Sequence, residues 1–162
     1  MSFEPVWGPG SRAIILGSWP SPKSWQQGFY YSHPQNRFWP LLAAITKREL
    51  PRTVDEKKAL VLQSGLALWD VLESCTITGA SDASIKDPVP VDLSGLLGKA
   101  PIGAVFCNGA AAHTLYERLL LPQTGLPATK LPSTSPANAS FSPQRLLQSW
   151  QPALAPWILE GN

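Results

Sequence analysis

The sequence predicts an α/β domain, a four-stranded parallel sheet covered by helices on both faces in three αβα layers. Three observations point there. Four short apolar runs alternate along the chain with segments of helical spacing. The first run, Ala13-Ile14-Ile15-Leu16 closed by Gly17, is continuous rather than alternating, as in a strand buried on both faces. No repeat, low-complexity tract or linker interrupts the 162 residues, so 1–162 reads as one domain.

The strands are expected at 13–16, 66–72, 102–107 and, more weakly, 128–131, where Pro132 stops the run. The spacing predicts a helix over 38–45, with Pro40 in its first turn. Thr53-Val54-Asp55-Glu56 is a capping box, and the helix it opens should end at Gly65. Asp92 can cap a short turn through Leu96 and Leu97. Apolar spacing continues helically over 110–121. Ser142-Pro143 is a helix start leading through Leu146, Leu147 and Trp150.

Composition excludes several classes. Hydrophobic residues make up 44%, enough for a packed core. Two cysteines, Cys75 and Cys107, rule out a disulfide framework or a four-cysteine metal site from this chain alone. His33 and His113 are the only histidines, so no histidine-rich metal site can form. No apolar run approaches a membrane span, and residues 1–10 have no signal-peptide core. A soluble, intracellular, cytoplasmic protein is therefore expected. The net charge of +2 is uneven: residues 1–58 hold eight Lys/Arg against four Asp/Glu, 59–117 two against six, and 118–162 three against one. If the two ends meet, one mildly basic face results; ordinary surface scatter is the alternative.

Ligands in an open parallel sheet bind at the strand carboxyl ends, so the segments that follow each strand carry the chemistry. The first, Gly17 to Trp39, packs three Trp, two Tyr and two Phe among prolines and glycines. One or two of Tyr30, Tyr31 and Phe38 are expected to face a ligand, with the other aromatics packing beneath. Asn108, at the end of the third run, carries donors and acceptors suited to a base edge, or simply caps the next helix. Residues 131–139, LPSTSPANA, offer small hydroxyls and backbone amides held by two prolines. Asp70 lies within the second run, where a carboxylate needs a partner; it either holds a loop or borders the pocket. His113, a turn into its helix, reads as packed or solvated. Walker A, GxGxxG, G-x-S-x-G and HExxH motifs are absent.

Taken together, Gly17-Ser18-Trp19-Pro20-Ser21, His33-Pro34-Gln35-Asn36-Arg37-Phe38-Trp39, Cys107-Asn108-Gly109 and residues 131–139 resemble the uracil-DNA glycosylase superfamily. The likeness is nearest to its hypoxanthine-DNA (DNA-deoxyinosine) glycosylases, and the HPxNRFW string is shared with the mismatch-specific uracil/thymine branch. The resemblance implies a superfamily fold, a monofunctional glycosylase that flips a deaminated base from DNA, and no metal or cofactor. DNA is then the partner, with a monomeric enzyme acting where a prokaryote keeps its nucleoid.

By the same resemblance, the first motif lacks the Asp or Asn that much of the superfamily uses to handle water. Asn36 takes that role, with Asn108 reading the base. The base pocket would comprise Gly17, Ser18, Trp19, Pro20, Tyr31, His33 and Phe38, with Tyr31 or Phe38 stacking on the base. Ser21, Lys23, Arg37, Ser133, Thr134, Ser135, Pro136 and Asn138 would meet DNA. Gly79, Ser81, Asp82 and Ile85 fit a family segment only with displacement, and no chemical role is assigned to them. A uracil or mismatch glycosylase, a non-cutting damaged-DNA binder and a nucleoside hydrolase remain the alternatives.

Overall fold

The computed structural model describes residues 3–77 and 85–159. Its central sheet contains β1 (Ala13–Gly17), β2 (Leu66–Asp70), β5 (Ala104–Asn108) and β6 (Ala128–Leu131), all parallel, in the order β2-β1-β5-β6. The continuous apolar run of β1 is explained by that central place: all five residues are buried. Alternate side chains feed two cores. Ala13 and Ile15 join Leu66, Leu68 and Phe106 on one face, while Ile14 and Leu16 join Ala67, Val105 and Cys107 on the other.

The first face is covered by α2 (Phe38–Thr46), α3 (Val54–Gln63) and α7 (Pro143–Leu154), through Leu42, Ile45, Val61, Leu146 and Trp150. The second is covered by α4 (Leu93–Leu97), α5 (Ala110–Leu115) and the turn after it, through Leu93, Leu96, Ala112 and Tyr116. Thr53 and Glu56 form the expected capping box, and Asp92 and Ser142 accept from the third helical amide at their own helix starts.

Three expectations are corrected. The second strand ends at Asp70, not at residue 72: Val71 turns the chain, and Leu72–Ile77 (β3) pairs antiparallel with Ile85–Pro90 (β4) as a separate two-stranded sheet. This hairpin replaces much of the expected 73–91 loop. Its prolines, Pro88 and Pro90, are tolerated because a two-stranded ribbon has only edges. Gly79, Ser81 and Asp82 lie outside the described residues. Second, a helix, α1 (Pro22–Gln27), stands inside the long first loop, capped by the Ser21 side chain. Third, the 110–121 helix is not uniform. After α5, residues 116–120 widen into a π turn, and α6 (Leu121–Thr124) follows. Pro122 has no N–H and its ring would meet the carbonyl one turn back, so the helix loosens just before it.

The chain ends do meet. Arg12 donates to the carbonyls of Pro156 and Trp157, and Arg48 to those of Gln63 and Leu159. Their guanidiniums thus tie the ends together. Among the described residues, no helix is long and apolar enough to cross a membrane.

Candidate active site

Three neighbouring strands finish level with one another. Gly17, the last residue of β1, is in register with Asp70, the last of β2, and Asn108 closes β5 on the other side. Above these ends lies a cavity of about 520 Å3. Asn36 and Asn108 both line it, as do Gly17, Ser18, Trp19, Pro20, Ser21, Tyr31, Ser133, Thr134 and Ser135. Three lining residues were not among those expected there, Pro22, Ser24 and Trp25, and the lining also takes in Tyr30 and Asp70, the second of which borders the pocket rather than only holding a loop. The sequence did carry a signal for the first three, since Ser21-Pro22 repeats the Ser142-Pro143 helix start and α1 turns them toward the mouth.

Gly17 has a steric reason to lack a side chain. A Cβ there would stand 2.5 Å from Asp70 Oδ1 and 3.0 Å from the Tyr31 hydroxyl. The cavity floor is therefore a carboxylate and a phenol meeting over bare backbone. Gly109, at the start of α5, has φ +101°, and a Cβ would crowd Ser133 at 3.1 Å. That position suits glycine on both counts.

Asn108 is held from both ends of its amide. Its Oδ1 accepts from the Thr134 amide at 3.0 Å, and its Nδ2 donates to Thr134 Oγ1 at 3.0 Å. The Thr134 side chain is thus buried in a structural pairing and is not a phosphate contact. Asn36 is held on one side only, with Oδ1 accepting from the Phe38 amide at 2.9 Å at the start of α2. Asn36 is partly exposed, whereas Asp70 is only 3% exposed.

Arg37 departs from its expected place on DNA. Its backbone amide and Nε both meet the Thr134 carbonyl, and its terminal nitrogens donate to the carbonyls of Ser135, Asn138 and Phe141. The guanidinium is a clamp that shapes the 133–141 loop from within. Asn138 closes the same loop, donating to the Ser133 carbonyl. Pro136, Lys23 and His33 do not line the cavity. His33 Nδ1 instead accepts from the Gln35 amide in a tight turn. His113 pairs with Glu117 one turn along its helix.

Two of the three candidate aromatics face the cavity, as expected, but Phe38 is not part of the base pocket. Phe38 is fully buried and stacks behind Tyr31, with ring centroids 4.2 Å apart; Tyr31 and Tyr30 are the tyrosines that reach the cavity. Tyr31 has φ +53°, a left-handed backbone uncommon for an aromatic residue and held here by that stacking. Burial first, and then the Asp70 charge, push the Tyr31 phenol well above its ordinary range, with the Asn108 amide pulling weakly the other way. Tyr30 is raised for the same two leading reasons. Both remain hydroxyls at neutral pH.

Fold and site together define an α/β protein with a cavity at its strand ends, between a stiff aromatic wall and an amide-bearing one. The chain belongs to the uracil DNA glycosylase superfamily, whose family model it matches over residues 5–155. It is 34% identical to the hypoxanthine DNA glycosylase of Methanosarcina acetivorans over 88% of this chain and 90% of that one. It is 33% identical to the protein of the same name from Methanosarcina barkeri, covering 84% and 86% respectively. Among solved structures it resembles the solution NMR structure of a candidate uracil DNA glycosylase from M. acetivorans. The TM-score is 0.80 at 31% identity, over 93% of each chain.

Proposed function

We propose that this protein is a DNA glycosylase that flips a deaminated nucleotide, deoxyinosine foremost, into the strand-end cavity and hydrolyses its N-glycosidic bond. The observation that carries the reading is the placement of Asn36 and Asn108 on one cavity lining in a chain of this superfamily. The names of its relatives supply the base, and about 520 Å3 lies within the range that encloses a drug-sized ligand, so a bicyclic purine fits.

As the bond between the base and C1′ breaks, its electron pair goes to the base and positive charge grows on the sugar. Asn36 cannot accept a proton at neutral pH. With Oδ1 fixed by the Phe38 amide, it orients water toward C1′ and stabilises the sugar cation through its dipole. Asn108 has one N–H left after bonding Thr134, and donates it to the base carbonyl. Tyr31, backed by Phe38, provides the stacking face. Ser133 and Ser135 line the mouth and meet the sugar-phosphate backbone; Lys23, beside Ser21, adds a phosphate contact. Among the described residues no lysine lines the cavity, which favours hydrolysis without a Schiff base. The protein acts as a monomer, in the compartment that holds its DNA.

The test is incubation with labelled duplexes carrying one hypoxanthine, xanthine or uracil, followed by alkali. Strand breakage strongest at hypoxanthine is expected. Breakage only at uracil would make it a uracil glycosylase, and tight damage-dependent binding without breakage would make it a binding module.

A further inference from the structure

All of the tryptophans but Trp25 are buried or half-buried, whereas Trp25 is 39% exposed. It stands on α1 at the rim of the strand-end cavity, and the chemistry above does not use it. We propose that Trp25, backed by Trp19 and Phe3, is a stacking site for the unpaired base next to the flipped nucleotide in single-stranded DNA; this rests on the glycosylase reading. The Trp25 ring is exposed but held. Its centroid lies 4.7 Å from that of Phe3 and 5.5 Å from that of Trp19, tilted to both. Phe3 is itself fixed: its carbonyl accepts from Trp69 Nε1 at 3.2 Å, and its ring meets Tyr30 edge-on at 5.2 Å. The Tyr30 hydroxyl donates to the neighbouring Glu4 carbonyl at 2.8 Å. Ser21 pins the start of α1, and Gly28, with φ +78°, closes its end. A ring held this way loses little freedom when a base lies on it.

Exposure decides which base Trp25 meets. A flipped base is enclosed by the cavity, and a side chain that keeps 39% of its surface in solvent stands outside that enclosure. Ring contacts nevertheless run on from Trp25 through Phe3 and Tyr30 to Tyr31, so the site is continuous with the wall on which the flipped base stacks. The next nucleotide of the same strand is covalently tied to that mouth. In a duplex its base stays paired and stacked within the helix. In a single strand the base is free, and its apolar face takes an aromatic ring whatever the sequence. Lys23, on the same short helix, adds a cation for the adjoining backbone. Charge beside a stacking ring is the combination that holds single strands.

The experiment measures the affinity of the native chain, Trp25→Leu and Trp25→Phe for DNA carrying one 2′-fluoroarabino-inosine, whose fluorine suppresses bond cleavage, with thermal unfolding of each variant. The DNA is offered as a single strand, as a duplex, and as single strands in which a tetrahydrofuran spacer replaces the nucleotide just 5′ or just 3′ of the lesion. Trp25→Leu should weaken single-strand binding about ten-fold or more and duplex binding less than about three-fold. Trp25→Phe, which keeps a ring, should stay near native. On one side of the lesion the spacer should cost the native chain about the same factor, and cost Trp25→Leu nothing further. A folded Trp25→Leu within about two-fold of native on the single strand, or weakened equally on the duplex, would overturn the assignment. So would a native chain indifferent to the spacer on both sides, a measurement that stands even if Trp25→Leu fails to fold. Excision of ordinary hypoxanthine by the native chain would leave the glycosylase reading intact in each of those cases. Failure to excise any deaminated base would end that reading and this assignment with it.

Discussion

The two asparagines face one cavity from walls built on different physics. The Asn108 wall is polar: its amide is locked to Thr134 in both directions, and Arg37 grips the same loop through carbonyls from Thr134 to Phe141. The Asn36 wall is aromatic: Tyr31, Phe38, Trp39 and Phe29 form a chain of ring contacts, and the Asn36 side chain has an orienting bond from the Phe38 amide. A residue proposed to meet a fixed base edge gains from rigid hydrogen bonding. One that must follow a moving sugar and a water needs a free amide face, supported from behind. In the proposed reaction, position in the fold, more than residue type, gives the same side chain two jobs.

The largest break in that comparison should come from Asn36→Ala. Single-turnover excision should fall roughly 10²- to 10³-fold, about 3–4 kcal/mol of barrier, with the melting temperature nearly unchanged. Excision near the native rate would remove Asn36 from the chemistry. Arg37→Ala should do the reverse in kind. Losing its charge-assisted bonds should lower unfolding stability in urea by about 3 kcal/mol, and any fall in excision should come with loss of order in the 133–141 loop by hydrogen exchange. A variant as stable as native would refute the clamp.

Alkaline pH sharpens the contrast further. Burial pushes the Cys107 thiol from its ordinary 9.0 up to about 12, and Tyr30 and Tyr31 are raised from 10.0. In each case the unfolded chain loses its proton first, so stability is whole below about pH 9 and falls as pH rises. Urea midpoints should show a loss of about 1–2 kcal/mol by pH 10. Cys107→Ala should remove the part that begins near pH 9, on the Asn108 wall, and leave the tyrosine part that begins near pH 10. The smallest effect should be that of Thr134→Val, which keeps the shape but removes the hydroxyl that accepts from Asn108. About 1 kcal/mol of stability should go, and hypoxanthine binding should weaken more than the turnover of bound substrate.

Much of this arrangement is legible in the sequence, for reasons that also mark where it stops. The unbroken apolar run 13–16 specifies a central strand, because only burial on both faces tolerates it. Thr53 and Ser142 announce helices through local capping chemistry. The two asparagines follow from the motifs around them. Asp70 is harder. In a strand running to residue 72 it sits inside the sheet, and only when the strand ends at Asp70 does the carboxylate reach the cavity. That boundary depends on the β3–β4 pairing, a contact between segments whose prolines disguise them as loop. Arg37 is harder still. Its neighbours look like a DNA-binding motif, and nothing local shows that its partners are carbonyls about a hundred residues further on. Phe38 and Tyr31 are chemically similar neighbours, and the left-handed turn at Tyr31 decides which one is seen by a ligand.

That reach of Arg37 has a consequence for the order in which the protein is made. During synthesis the aromatic wall can assemble early, from residues close together in the chain. The clamp has no partners until Thr134, Ser135, Asn138 and Phe141 have emerged, and Phe38 has no Trp150 ring against it until later still. Closing so long a loop is slow compared with local packing. The closed strand-end cavity is therefore among the last parts of the chain to exist, and a nascent chain that stops before Thr134 has both asparagines but neither the clamp nor the lock on Asn108.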